Sequence, residues 1–165
     1  MTLTIAGKPR EDSDLRIQEL VRKNDLHDYV KMIGSISEED KSSLLIQHDY
    51  LCFLSRWGGP PRPIREALSV GTAVIISWET NMGELVKNEG AGEVVSLDSS
   101  ELARMIVNIA RNKNVISKHK VGVNRLADLL NWGNVSKTYV KSYNTILQSS
   151  NVSCYRGDHI GNSTD

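Results

Sequence analysis

Short apolar runs alternate with longer amphipathic stretches along this chain. Leu3-Thr4-Ile5-Ala6 is a short run stopped by Gly7-Lys8-Pro9. From Asp12 to Lys23, the residues Leu15, Ile17, Leu20 and Val21 recur at helical spacing. Val30-Lys31-Met32-Ile33 ends at Gly34. Ser37 followed by Glu38 and Glu39 marks a helix start, with a capping hydroxyl and then acids in the first turn. Leu44 and Leu45 carry that helix towards His48, and Tyr50–Leu54 is the next strand. Pro63 to Val70 reads as a helix closed by Gly71. Ala73-Val74-Ile75-Ile76 is a strand apolar at every position. Gly83–Asn88 is a short helix, Gly92-Glu93-Val94-Val95 a last strand and Ser99–Asn112 a longer helix. From Ser117 to Gln148 the pattern is helical, broken near Asn131-Trp132-Gly133.

Continuous apolar strands separated by helices predict an α/β fold, a Rossmann-like parallel sheet covered by helices on both faces. Such sheets bind ligands beyond the carboxyl ends of their strands. The residues after Ile33, Leu54 and Ile76 are therefore the places to look for chemistry. The domain is expected to span residues 1–148, with a polar, disordered tail over 149–165.

Composition narrows the picture without changing it. The 165 residues suit one domain; 39% are apolar and 24% charged, a globular mixture. Lys+Arg and Asp+Glu are both 20, so a nucleic-acid partner is not expected. Cys52 and Cys154 are far apart and give no disulfide framework. Cys52, inside the run Tyr50–Leu54, is expected to be a buried small hydrophobe. No leader-like segment or membrane-length apolar run is evident, so the expected address is cytoplasmic. The four histidines lack paired ligand spacing, so no metal is expected. The lysine-rich stretch Lys113–Lys120 reads as a solvated region flanking a helix.

The segment from Ser55 to Leu68 carries the candidate chemistry: Ser55-Arg56-Trp57-Gly58-Gly59-Pro60-Pro61-Arg62-Pro63-Ile64-Arg65-Glu66-Ala67-Leu68. A strand ends, a Gly/Pro loop turns, and a helix begins at Pro63, a residue suited to the first helical position. Free N–H groups at a helix start favour an anion such as a diphosphate. With three prolines in the loop, those amides are expected from Gly59, Arg62, Ile64 and Arg65. An ordinary strand–helix connection fits the same pattern, so the physics alone leaves both readings open.

These residues also resemble a family. Ser55 to Ile75 is similar to the signature S-R-x-E-G-F-x-x-x-x-x-E-A-x-x-x-G-T-P-V-I of the family-4, or group 1, retaining glycosyltransferases. Their GT-B architecture pairs two Rossmann-like domains across a cleft. Leu3-Thr4-Ile5-Ala6-Gly7 resembles the family's L-x-I-x-G strand, and Val30-Lys31-Met32-Ile33-Gly34 its V-x-F-x-G strand. Glu84-Leu85-Val86 with Gly92 and Val94-Val95 resembles its E-L-V…G-x-V segment. Trp132 and Tyr143-Asn144-Thr145-Ile146-Leu147 resemble its closing helices. The resemblance covers nearly the whole chain up to Leu147 and implies the C-terminal, donor-binding domain. It also implies a nucleotide-diphosphate sugar as substrate, a glycan-type acceptor, no cofactor and no metal.

Residue by residue, the resemblance gives Glu66 the ribose hydroxyls of the donor, against a rival role as an acid favoured by the helix dipole. Ile33 and Gly34 fall where the family backbone reads the base edge; a core residue plus a turn glycine is the rival reading. Asn81, Met82 and Gly83 fall near the donor sugar and diphosphate, where a plain helix cap is the alternative. Arg62 and Arg65 either reinforce phosphate binding or lie on a solvated helix face. The family's first glutamate, which contacts the transferring sugar, is replaced by Gly58, so no catalytic residue is assigned. The family's G-R…K-G unit, whose Arg and Lys neutralise the diphosphate, is not found in these residues, nor is an acceptor domain. The expectation is a domain truncated at its N-terminus and inactive alone, either a truncated or split reading frame or a subunit completed by a separate N-terminal polypeptide, with peripheral contact at the inner membrane face as a family possibility. A non-catalytic Rossmann-like partner subunit is the alternative.

Overall fold

The chain is described by a computed structural model that covers residues 1–9, 12–58 and 61–149, with Lys113 and Ser149 described as backbone only. Two compact units emerge, Met1–Asp128 and Leu129–Asp165. The expected tail after Ser149 lies outside the described residues.

The first unit alternates strands and helices: β1 (Leu3–Ala6), α1 (Ser13–Lys23), β2 (Val30–Gly34), α2 (Glu38–Ile46), β3 (Tyr50–Phe53) and α3 (Arg62–Ser69). Then come β4 (Ala73–Ser77), a 3₁₀ turn (Trp78–Thr80), α4 (Gly83–Glu89), β5 (Gly92–Val95), α5 (Ser99–Arg111) and α6 (Lys113–Leu129). In the second unit Asn131 Oδ1 accepts the Asn134 N–H at 2.9 Å at the start of α7 (Trp132–Ser149). There the Tyr139 and Tyr143 rings lie 6.3 Å apart.

Every strand pairing is parallel, as the uninterrupted apolar runs imply. Among the described residues the five strands nevertheless form two ladders, β1–β2 and β3–β4–β5, not one continuous sheet. His48 links the two: its Nδ1–H donates to Leu44 O at 2.7 Å, leaving Nε2 to accept from the Thr4 hydroxyl at 2.9 Å.

β4 is buried at all five positions, so both faces of the larger ladder are covered. On one face Ile75 and Val95 pack with Ile109 of α5, bordered by Tyr50, Leu102, Met105, Val115 and Ile116. Val74 and Ile76 point the other way by strand alternation and are also fully buried. α3 packs on β3 and β4, burying Ile64, Ala67 and Leu68. By contrast, α1 buries none of its residues, and Leu15 and Leu20 are exposed.

Two expectations change. The stretch Lys113–Lys120 is not a flank but the first part of α6. Val115, Ile116 and His119 turn inward from it while Lys118 and Lys120 stay exposed. Cys52 is exposed, not buried, because β3 is an edge strand of its ladder and lacks a neighbour on one side.

α6 lies directly over the end of α4. A Cβ at Gly122 would meet Gly90 O at 2.2 Å and Glu89 O at 2.3 Å. Arg125 Nη2 donates to Glu89 O at 2.6 Å, satisfying a carbonyl at the helix end. Overpacking at such a contact costs about 1–3 kcal/mol, so Gly122→Ala is expected to lower the urea midpoint accordingly. An unchanged midpoint contradicts the packing described.

At the opposite edge from the strand ends, Tyr50 OH donates to His119 Nδ1 at 2.9 Å, and His119 Nε2 faces Glu93 Oε1 at 3.5 Å. Burial pushes the His119 pKa below 6.5 despite the Glu93 charge. The unfolded chain then binds the proton more readily, so this contribution is full above pH 6.5 and lost as pH falls through the lower folded value. Stability measured between pH 7 and pH 5 should fall more steeply in the wild type than in His119→Asn; parallel profiles count against it.

Candidate functional site

The expected residues that are described follow the carboxyl ends of β2, β3 and β4 in the chain, and the first determinant is how the loop after β3 is held. Ser55 N–H donates to Ser77 Oγ at 2.9 Å, and the Ser77 hydroxyl donates back to Ser55 O at 2.7 Å. This exchange fastens the loop to the last residue of the fully buried β4. Thr80, also buried, donates its hydroxyl to Ser77 O at 2.8 Å. Ser55 Oγ donates to Trp57 O at 2.8 Å and shapes the turn locally. Asn81, in the left-handed region at φ 56°, donates from Nδ2 to the Gly58 carbonyl. The loops after β3 and β4 are thus tied at two points, the second using one donor of the Asn81 side-chain amide.

α3 begins one residue earlier than expected, at Arg62, with Pro61 as an extended N-cap and Pro63 in the first turn. The missing proline donors thin out the amides available here. Ile64 N–H donates to Pro61 O at 3.2 Å, and its side chain is fully buried. Ile64 is therefore not a free donor, which corrects the count of open amides. Gly59 lies outside the described residues.

One turn into α3, Glu66 is the centre of a charge network that joins α2 to α3. Arg62 Nε lies 2.8 Å from Glu66 Oε1, and Arg62 Nη2 lies 3.4 Å from Glu38 Oε2. Lys41 Nζ donates to both Glu38 oxygens at 2.9 Å and sits 3.1 Å from Glu66 Oε2. That last contact is a charge contact without hydrogen-bond geometry, since Oε2 is buried yet has no hydrogen-bond donor among the described residues. The Glu38 carboxylate, then that of Glu66, raises the Lys41 pKa; Lys41 in turn lowers that of Glu38. Glu66 is outside the first turn, where α3 has no acid, which removes the main argument for a dipole role. Arg62 faces carboxylates rather than an open anion site.

Lys41 was not visible in the sequence as a site residue. It reads as a solvated lysine at i+3 from Glu38, and only the packing of α2 beside α3 brings it to Glu66.

Ile33 and Gly34 end β2. Gly34 has φ +67° and its carbonyl accepts the Gly7 N–H at 2.7 Å, so the turn-glycine role is filled. Met82 is buried at the start of α4. A Cβ on Gly83 would meet the Trp78 ring at 2.6 Å, so Gly83 is needed for packing whatever else it does.

Gly58 has φ +124°, and a Cβ there would meet nothing within 4 Å. Space admits a glutamate, but the backbone does not favour one: such φ values cost a non-glycine residue about 1–3 kcal/mol. Gly58→Glu is therefore expected to fold with a melting temperature lowered by several degrees, roughly 2–8 °C per kcal/mol. A variant at least as stable as the wild type contradicts the loop conformation.

Comparison with known proteins fits this geometry. Curated protein sequences give no match. Among solved structures, sucrose-phosphate synthase from Thermosynechococcus elongatus is similar at 25% identity and a TM-score of 0.66, covering 90% of this chain and 39% of that one. Anabaena HepE in complex with UDP is similar at 18% identity and a TM-score of 0.72, over 88% of this chain and 41% of that one. The C-terminal domain of a glycosyl transferase group 1 family protein, LpcC from Francisella tularensis, is similar at 17% identity and a TM-score of 0.63. That comparison covers 84% of this chain and 85% of the domain. The chain thus spans about two fifths of the first two proteins and most of an isolated C-terminal domain. The family model for "Glycosyl transferases group 1" matches residues 1–123. The chain belongs to the group 1 glycosyl transferases, and its fold is that of the Rossmann-like C-terminal half of their GT-B architecture.

Proposed function

We propose that this chain is the donor-binding half of a group 1 glycosyltransferase, with Glu66 accepting hydrogen bonds from the ribose of a nucleoside-diphosphate sugar. The observation that carries the reading is the divided state of the Glu66 carboxylate. Arg62 holds Oε1 at 2.8 Å, whereas Oε2 is buried and without a hydrogen-bond donor. That oxygen keeps acceptor capacity for a hydroxyl that reaches it. Lys41 Nζ sits 3.1 Å away without filling that lone pair. Gly34, Gly58 and Asn81, at the neighbouring strand ends, would border the base and sugar. Similar proteins have been solved with UDP and with UDP-glucose, which makes uridine nucleotides the first ligands to try. Transfer with retention, an acceptor of the glycan class and a site working without a metal ion follow from the family resemblance.

On this reading the chain alone transfers no sugar. Gly58 offers no side chain to the sugar, and transition-state stabilisation of a leaving diphosphate needs fixed positive charge. Arg62 is committed to Glu66 and Glu38. A polypeptide supplying the acceptor half and that charge would complete the enzyme. A non-catalytic subunit is the second reading, and Gly58 is the observation that favours it. No helix among the described residues is long and apolar enough to cross a membrane. The reading places the chain in the cytoplasm, with any membrane contact made peripherally at the inner face.

Titration calorimetry with UDP, GDP and ADP tests donor binding. One of them is expected to bind saturably, and Glu66→Ala to weaken it about tenfold or more, the loss of a charge-assisted hydrogen bond. No saturable heat with any nucleotide, or equal binding by Glu66→Ala, overturns the reading.

A further inference from the structure

The chain has three tryptophans. Trp132 starts α7 in the second unit. Trp78 is engaged in packing: Lys87 Nζ lies 5.4 Å from its ring centroid, and the start of α4 meets the ring at Gly83. Trp57 is different. It follows β3 with 83% of its surface exposed, and its ring has no aromatic or cationic partner among the described residues. An indole left in water contributes little to the core. Its backbone, by contrast, is fixed. Trp57 N–H donates to Ser55 Oγ at 3.3 Å, and the same hydroxyl donates to Trp57 O at 2.8 Å. Ser55 is in turn fastened to the buried Ser77. On the other side Asn81 donates from its side chain to Gly58 O, while its own N–H donates to Trp78 O at 3.3 Å. Trp57 thus stands between the two ties that join the loops after β3 and β4. The neighbouring Gly58 carries no side chain, and a Cβ there would meet nothing within 4 Å, so the backbone next to the tryptophan is open to a ligand.

We propose that Trp57 is the platform on which a sugar ring of the substrate stacks, and so a specificity-determining residue of the candidate site. A pyranose carries its hydroxyls at the rim and presents C–H groups on its faces. An indole covers such a face and leaves the hydroxyls free for polar partners. A side chain with two rotatable bonds on a held backbone loses little freedom when a ligand stacks on it. Position selects the sugar over the base. On the donor reading the base lies at Gly34, which ends a strand of the other ladder, whereas Trp57 adjoins Gly58 on the sugar side. The inference rests on that reading and adds to it the residue that meets the sugar. The stacked ring is the hexose of the donor or a sugar of the acceptor, since both present the same kind of face.

The full chain is produced with fluorinated tryptophan, and its fluorine resonances are assigned with Trp57→Phe, Trp78→Phe and Trp132→Phe. UDP, GDP and ADP are titrated in, each beside its hexose conjugate, and maltotriose is added alone. The Trp57 resonance is expected to move with a hexose conjugate well beyond its shift with the matching nucleotide, or to move with maltotriose. The first result assigns the stacked ring to the donor, the second to the acceptor; Trp132 stays still in both. By calorimetry Trp57→Ala is expected to weaken the sugar ligand that moves the resonance by about three- to tenfold. Trp57→Phe keeps most of that affinity, and the nucleotide alone binds both variants as it binds the wild type. Because the ring is exposed, Trp57→Ala is expected to melt with the wild type, which separates lost stacking from lost folding. Equal shifts of Trp57 with nucleotide and conjugate assign the ring to the base and overturn the proposal. Equal sugar-ligand affinities of Trp57→Ala and wild type also overturn it. Nucleotide binding with Trp57 unmoved by every sugar ligand overturns this inference alone. If no nucleotide or conjugate binds, the donor reading fails and this inference fails with it.

Discussion

The geometry of the candidate site depends on the exchange of two hydrogen bonds between Ser55 and Ser77. β4 is the most deeply buried strand, and Ser77 is its last residue and itself fully buried. A hydroxyl there cannot be left without partners, since an unpaired buried polar group costs about 1–3 kcal/mol. It spends its donor and an acceptor on the backbone of Ser55. The loop after β3, otherwise held by short local contacts, thereby takes its position from the core. Asn81 adds a second tie to Gly58. The start of α3 follows from where that loop ends, and Glu66 follows from α3.

The charge network then decides what Glu66 has to offer. Two bases and two acids balance one another across α2 and α3. Exposed ion pairs contribute little to stability, and Arg62 and Glu38 are largely exposed. Glu66 differs because its side chain is only 23% exposed and one oxygen is buried. The network is better understood as orienting a carboxylate than as holding the domain together. It also reassigns Arg62, a plausible phosphate ligand by position in the sequence, to a role beside the carboxylate.

Much of this was legible in the sequence because the governing signals were local. The run Ala73–Ile76 announced a strand buried on both faces, and Ser37 announced its helix, its hydroxyl accepting the Asp40 N–H at 3.0 Å. The Gly/Pro loop before α3 marked the strand end where the candidate residues converge. What was not legible depends on contacts between distant segments. Lys41 reaches Glu66 only because α2 lies beside α3. Gly122 is dictated by the carbonyls of Glu89 and Gly90 beneath it. The exposure of Cys52 and the division into two ladders arise from strand order, which apolar runs do not encode. The lysines of the stretch 113–120 concealed Val115, Ile116 and His119, whose inward face makes it a helix of the core.

On the proposed function, a nucleotide docks at the strand ends against Glu66. Amide chemical-shift mapping of the chain titrated with UDP tests this most directly, because it reports location as well as binding. Shifts are expected to concentrate at Gly34, Gly58, Asn81 and the first turns of α3 around Glu66, with β5 and α6 silent. Shifts confined to other surfaces, or none at saturating nucleotide, contradict it.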